Sequence, residues 1–426
     1  MSVIWIRHVE IVNETGQERG DLLLRDGQIE RMGPSLEPDG IMDMVIDGEG
    51  LTAMPGLVDL HVHLRDFEQS YKDTVECGAR AAAAGGVTSL AAMANTRPAV
   101  DSPERIAALL DKAKNAPVRI YPVGAVTSGL GGRELTDFAA LKAAGAAALS
   151  DDGVPVENSA LLRAALERAH EVGLPLLAHC EDRALTGKGL IHEGEVSRKL
   201  GVPGVPAASE EISTAREITL SAATGAPVHI CHVSTAASVE MIRVAKAHGV
   251  RVTCESAPHY FTLTHETLLA RDANFRMSPP LRTETDRQAI IEGLCDGTID
   301  AIATDHAPHS PEEKADFTTA PNGILGLETS LSLALTMLYH TGRLDLPALT
   351  RLMSAAPARI LGVPGGCLCE GAPADLILVD RNRTWTPQPA GLHSKAKNCP
   401  YFGNELTGRV IMTFCRGERV YTLPQS

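Results

Sequence analysis

The sequence predicts an α/β fold: a TIM-like (β/α)8 barrel carrying a small β-sandwich formed from both chain ends. Two observations predict it. Over about 300 central residues, eight strand-like runs alternate with amphipathic or Ala-rich helical runs, the pattern of parallel strands joined by crossover helices. The first 53 residues read instead as short alternating strands that cannot close a sheet alone, and matching strands recur only from about residue 366 onward.

In the N-terminal part the strand runs are 3–6, 21–25, 28–32 and 44–47, with Asp26-Gly27 as a hairpin turn between the second and third. Their partners are runs 374–379, 409–416 and 419–421, the last two flanking a tight glycine turn. The predicted organisation is therefore residues 1–53 and 366–426 as two halves of one β-sandwich, with the barrel at 54–365. Its strand runs are 57–63, 88–93, 119–126, 146–150, 175–179, 227–232, 251–255 and 301–304. Helical runs follow at 73–84, 103–114, 158–172, 209–223, 237–247, 285–295 and 326–339. In such a barrel, chemistry sits where strands end and loops begin.

Composition narrows the function. A hydrophobic content of 44% with 22% charged residues is that of a globular protein with a sizeable core. The formal net charge of -14 argues against nucleic-acid binding and against anionic membrane surfaces. No apolar run reaches the length of a membrane span and no export signal is evident, so a cytoplasmic location is expected. The nine cysteines are scattered and expected to be buried free thiols. Cys367 and Cys369 lack a second pair at zinc-finger spacing.

The sharpest signal is residues 54–65, Met-Pro-Gly-Leu-Val-Asp-Leu-His-Val-His-Leu-Arg. Strand side chains alternate faces, so His61 and His63 point the same way and form half of a metal site. The ends of the other strands add Asp151-Asp152, His179, His232 and Asp305. Imidazoles and carboxylates gathered at one barrel mouth are costly unless a cation neutralises them.

These residues resemble the amidohydrolase superfamily and, more narrowly, the type I dihydroorotases. The match rests on 55–65, Asn-Thr at 95–96, Ser-Asp-Asp-Gly at 150–153, His-Cys-Glu-Asp at 179–182 and His-Val-Ser at 232–234. It continues through Pro-Pro-Leu-Arg at 279–282, Thr-Asp-His-Ala-Pro-His at 304–309, Gly-Leu-Glu-Thr at 326–329 and Glu-Gly-Ala-Pro-Ala-Asp-Leu at 370–376. The resemblance implies reversible zinc-dependent ring closure of N-carbamoyl-L-aspartate to L-dihydroorotate in pyrimidine biosynthesis. It implies one zinc on His61, His63 and Asp305, a second on His179 and His232, and Asp152 as the bridge in place of a carboxylated lysine, Lys142 lying in the preceding helix. Asp151, facing the other way, is not expected to be a ligand. Asp305 becomes the acid-base residue. Substrate contacts are implied at His63, Arg65, Asn95, Ser278, His309, Asn322 and Gly323, with Arg65 on the substrate carboxylate. A homodimer is implied, and association with aspartate carbamoyltransferase is open to it.

The chain departs from the family pattern at Asp66-Phe67-Glu68, at Ala94 and at Ser278, none of them a metal ligand. Two alternatives stand beside this reading. One is another cyclic amidase, such as an allantoinase or dihydropyrimidinase, against which Arg65 and the aspartate bridge count. The other is an inactive scaffold for aspartate carbamoyltransferase, expected to have lost ligands that this chain keeps. The polar loop 310–322, directly after the last catalytic strand, is expected to act as a lid.

Overall fold

The computed structural model describes residues 2–424. The chain begins with β1 (Val3–Asn13), β2 (Gly16–Arg25), β3 (Gln28–Gly33), β4 (Met44–Asp47) and β5 (Thr52–Pro55). Between β2 and β3, Asp26 and Gly27 have φ of 50° and 84°, the doubly left-handed turn that the Asp-Gly pair favours. A Cβ on Gly27 would sit 2.9 Å from the Arg416 carbonyl oxygen, so that hairpin also requires glycine for close approach.

The barrel follows with β6 (Leu57–Val62), β7 (Val87–Ala92), β8 (Arg119–Gly124), β9 (Ala148–Leu149) and β10 (Leu177–Ala178). After a small ribbon of β11 (Ile191–His192) and β12 (Gly204–Val205) come β13 (Val228–Ile230), β14 (Val252–Ser256) and β15 (Ala301–Ile302). All barrel pairings are parallel, in the orders β6-β7-β8-β9 and β10-β13-β14-β15. Parallel bridges Leu149↔Leu176 and Val62↔His306 join these two arcs, so the barrel closes. Its helices obey their end signals. In Ser159–Val172, for example, Asn158 accepts from the Ala160 and Leu161 amides, and Gly173 ends the helix at φ 67°.

The remaining strands are β16 (Leu376–Trp385), β17 (Leu406–Cys415) and β18 (Glu418–Thr422). They join the first five in one eight-stranded sheet, ordered β18-β17-β16-β5-β1-β2-β3 with β4 beside β1. The sheet wraps onto itself. Gln28 bridges Pro373, and Ile29 exchanges hydrogen bonds with Gly371 and Ala372. Strands from both chain ends thus enclose one core containing Ile6, Ile11, Leu24, Leu376, Leu378 and Phe414. The boundary expected after residue 53 runs through β5, whose four residues are all buried and which pairs with both β1 and β16.

Within the barrel, Val58, Leu60, Ala91, Met93, Val123, Ala148, Leu177, Cys231, Ala301 and Ala303 form a small apolar cluster, closed by Ala358 and Leu361. Strand β14 adds no apolar side chain to it. It contributes the buried Glu255 instead. The β6–β7 ladder loses register between Asp59 and Val62, a bulge of the kind that re-aims side chains beside active sites. His61 and His63 lie at and just beyond it.

The cysteine expectation needs correction. All nine are free, but Cys295, Cys367 and Cys369 are exposed and Cys77 is half-buried. Leu368 takes the buried place between the two exposed thiols.

Candidate metal centre and active site

The structure brings all six expected ligand residues together at the C-terminal mouth of the barrel. His61 Nε2 lies 3.3 Å from Asp152 Oδ1 and 3.6 Å from Asp305 Oδ1. His63 Nε2 lies 3.2 Å from Asp305 Oδ1 and 3.4 Å from Asp152 Oδ2. On the other side of Asp152, its Oδ1 is 3.2 Å from His179 Nδ1 and 3.5 Å from His232 Nε2. Asp152 therefore stands between a group of three, His61, His63 and Asp305, and the pair His179 and His232. Asp151 points elsewhere: its Oδ1 accepts from the Val126 and Thr127 amides at 2.7 and 3.0 Å. Lys142 is exposed and donates to the carbonyl of Val172.

The donor set fits a cation. His61 Nε2 and Asp152 Oδ1 are fully buried and face each other, yet neither has a hydrogen-bond partner among the described residues. Burial opposes charge on Asp152, but His61, His179 and His232 hold its carboxyl well below the usual range. Burial likewise opposes protonation of His61 and His179, but carboxylates prevail, lifting His61 well above an ordinary histidine and His179 to about 10. A divalent cation would displace those protons and supply the same positive charge. Backbone geometry points the same way, since Arg65, His232 and Asp305 all have positive φ, of 62°, 38° and 48°. Such conformations cost free energy outside glycine and gather at functional sites.

Neighbouring groups fix the histidine rings. His63 Nδ1 lies 2.7 Å from Asn95 Oδ1, while Asn95 Nδ2 donates to Asp152 Oδ2 at 3.1 Å. Asn95 thus lies on the cavity wall with its carboxamide already spanning His63 and Asp152, which leaves His63 Nε2 free to face the centre. His61 Nδ1 lies 3.1 Å from Glu255 Oε1, whose other oxygen is 3.3 Å from His229 Nε2. Despite burial, these two imidazoles hold the Glu255 carboxyl at about 2. Asp59 Oδ1 accepts from the His61 and Thr304 amides at 3.1 Å each. Sequence reasoning missed Asp59, His229 and Glu255, although Glu255 ends the seventh strand run just as the candidate ligands end theirs.

A cavity of about 600 Å³ opens over this centre and is lined by His63, Arg65, Asn95, Asp152, His179, Ser278, Asp305, His309, Asn322 and Gly323, among others. His61 and His232 lie buried behind it. Arg65 is 8% exposed, donates to the Pro308 carbonyl at 3.2 Å and places Nη2 3.2 Å from His309 Nε2. Among the described residues no carboxylate pairs with it. His309 contacts the Asn322 carbonyl through Nε2 at 2.9 Å and Lys72 Nζ through Nδ1 at 3.2 Å. Burial, Arg65 and Lys72 hold it far below an ordinary histidine, hence neutral. Gly323 has φ 136° and is packed so tightly that a Cβ would lie 2.7 Å from that of Ala307. Its amide already donates to the Arg276 carbonyl. Loop 310–322 is tied down by side chains. Glu313 pairs with Lys72 at 2.9 Å, and Lys314 Nζ donates to the carbonyls of Ala273, Arg276 and Pro321 at 2.9, 3.3 and 2.9 Å.

Residues 50–238 match the family model described as Dihydro-orotase-like. The chain is 50% identical over 404 residues to the dihydroorotase of Citrifermentans bemidjiense, covering 94% of this chain and 95% of that one. It is 49% identical over 404 residues to the dihydroorotase of a Geobacter species, covering 94% of each. Among solved structures it resembles the L-hydantoinase (dihydropyrimidinase) of Arthrobacter aurescens with a TM-score of 0.88 and 25% identity, covering 100% of this chain and 98% of that one.

Proposed function

Because the chain belongs to the dihydroorotase family and is a cyclic amide hydrolase, we propose that it interconverts N-carbamoyl-L-aspartate and L-dihydroorotate with zinc as its metal, in de novo pyrimidine (UMP) biosynthesis. The observation that carries this reading is the Arg65 guanidinium, buried on the cavity wall without a paired carboxylate among the described residues. A buried charge without a directly paired counter-ion is costly. The carboxylate of dihydroorotate supplies the missing anion and can accept the paired, planar donors of arginine. Neutral cyclic ureides, the substrates of the alternative amidases, have no such group.

The proposed ligand assignment is His61, His63 and Asp305 on one zinc, His179 and His232 on a second, and Asp152 between them. Bound there, zinc supplies Lewis-acid chemistry, lowering the pKa of water from about 15.7 toward about 7. The chain's own residues do the rest. His63 bonding holds the Asp305 carboxyl well below its usual range despite burial, so it is ionised and can take a proton from the attacking water. The same group returns a proton to the departing ring nitrogen, which is general acid-base work by one carboxylate. Asn95 and Glu255 keep the histidine rings aimed at the centre. His309, neutral beside Arg65, contributes shape and hydrogen bonding without competing for the substrate's charge. Asn322, Gly323 and Ser278 complete the wall against the ring.

No helix among the described residues is long and apolar enough to cross a membrane. We place the enzyme in the cytoplasm as a homodimer, with association with aspartate carbamoyltransferase open to it. The function is tested by supplying dihydroorotate, dihydrouracil and hydantoin in parallel to the purified protein. Dihydroorotate is expected to win in kcat/KM by about 30-fold or more. Preference for either neutral ring would overturn the assignment, and no turnover of any would favour the scaffold reading.

A further inference from the structure

Away from the metal centre, the mechanism leaves one pair of nucleophilic side chains unused. Cys367 and Cys369 are both exposed, and their Sγ atoms stand 3.3 Å apart. This is well beyond the about 2.05 Å of a disulfide bond, so they are two thiols in contact. Leu368 between them is 2% exposed and sits in the core shared by the chain-end strands. Asn13 brackets the same residue: the Leu368 amide donates to Asn13 Oδ1 at 2.7 Å, and Asn13 Nδ2 donates to the Leu368 carbonyl at 2.9 Å. The buried leucine and its two backbone bonds hold the flanking cysteines with both sulfurs turned outward and together. The other accessible thiols stand differently. Cys77 Sγ accepts from Arg80 at 3.6 Å, and Cys295 Sγ donates to the Arg343 carbonyl at 3.7 Å.

We propose that Cys367 and Cys369 form a bidentate site for a thiophilic ion, a soft metal or a trivalent arsenical, independent of the histidine–aspartate centre. Soft sulfur ligands select soft ions, whereas imidazole and carboxylate suit harder ones. The two sulfurs are already adjacent and the peptide between them is fixed, so little ordering cost remains to be met on binding. With phenylarsine oxide as probe, two S–H bonds break and two As–S bonds form. The oxide oxygen leaves with both protons as water. Arsenic stays trivalent, and no oxidant or reductant is consumed.

The test uses the full chain with one equivalent of phenylarsine oxide, read by intact mass spectrometry. One adduct per chain is expected, surviving excess 2-mercaptoethanol and removed by 1,2-ethanedithiol. Cys367→Ser and Cys369→Ser should each lower the monothiol-resistant adduct at least about ten-fold, the loss of one ligand from a chelate. Cys77→Ser and Cys295→Ser should keep it. Both serine variants lie on the surface, and unchanged far-ultraviolet circular dichroism and turnover will show that they fold. A wild-type protein without a monothiol-resistant adduct, or an adduct that persists in either Cys367→Ser or Cys369→Ser, would overturn the proposal.

Discussion

Replacing Arg65 with alanine separates charge recognition from chemistry. The guanidinium is buried on the cavity wall, and its nearest partners are the uncharged Pro308 carbonyl and a neutral His309. Its positive charge is therefore available to the substrate carboxylate. Losing a desolvated, hydrogen-bonded charge pair costs about 2 to 5 kcal/mol, which at about 1.4 kcal/mol per decade is a fall of about 30-fold to about 4,000-fold in kcat/KM. The assay is steady-state turnover of dihydroorotate and of dihydrouracil by wild type and Arg65→Ala, with metal content measured on both proteins. Metal content should not change, because Arg65 is not among the proposed ligands. Dihydrouracil, lacking the carboxylate, should be a poor substrate for both proteins and change little between them. Equal damage to both substrates would rule out a role in charge recognition and make Arg65 a support for the loop or the centre.

Three further outcomes are expected. Asp305→Asn should retain the fold while kcat falls about 100-fold or more, since an amide cannot accept the proton; near-normal kcat would move the acid-base role elsewhere. Loop 310–322 should exchange its amide hydrogens more slowly with dihydroorotate bound than without, and equal rates would make it a passive connector already fixed by Lys72 and Lys314. Burial holds His259 and His306 neutral, down to about 4 and about 3, whereas the unfolded chain protonates both near about 6.5. The unfolded state thus binds more protons below about pH 6.5, and stability falls as pH drops through that window. The urea midpoint of His306→Asn, compared with wild type from pH 7.5 to 5, should vary less steeply, and an unchanged slope would contradict this account.

Much of the fold and of the site could be read from residue patterns. The period-two spacing put His61 and His63 on one face, and the rule that barrel chemistry sits at strand ends selected Asp151-Asp152, His179, His232 and Asp305; of the aspartate pair, the family resemblance picked Asp152, which converges with the others. Other features left weaker traces. Strand β5 is buried throughout, so Thr52–Pro55 shows no polar alternation, and its pairing with both chain ends is a long-range fact. Runs such as 146–150 contain only two paired residues, Ala148 and Leu149, because the chain leaves the ladder as the barrel mouth opens. Glu255 carried the strand-end signal, but its role depends on reaching across to His61 from the seventh strand. The commitment of Asn95 to His63 and Asp152, and the clamp of Lys72 on Glu313, are side-chain geometries between segments distant in sequence, which no local pattern encodes.

If a metal held by these histidines and aspartates makes the chain a dihydroorotase, turnover and metal content must rise and fall together. The measurement follows loss of dihydroorotate on adding purified protein, with zinc measured on the same sample before chelation, after it and after zinc is returned. Turnover with one or two zinc per chain is expected, then loss of turnover with loss of zinc, and recovery of both together. Full turnover by protein verified to be metal-free would contradict that dependence.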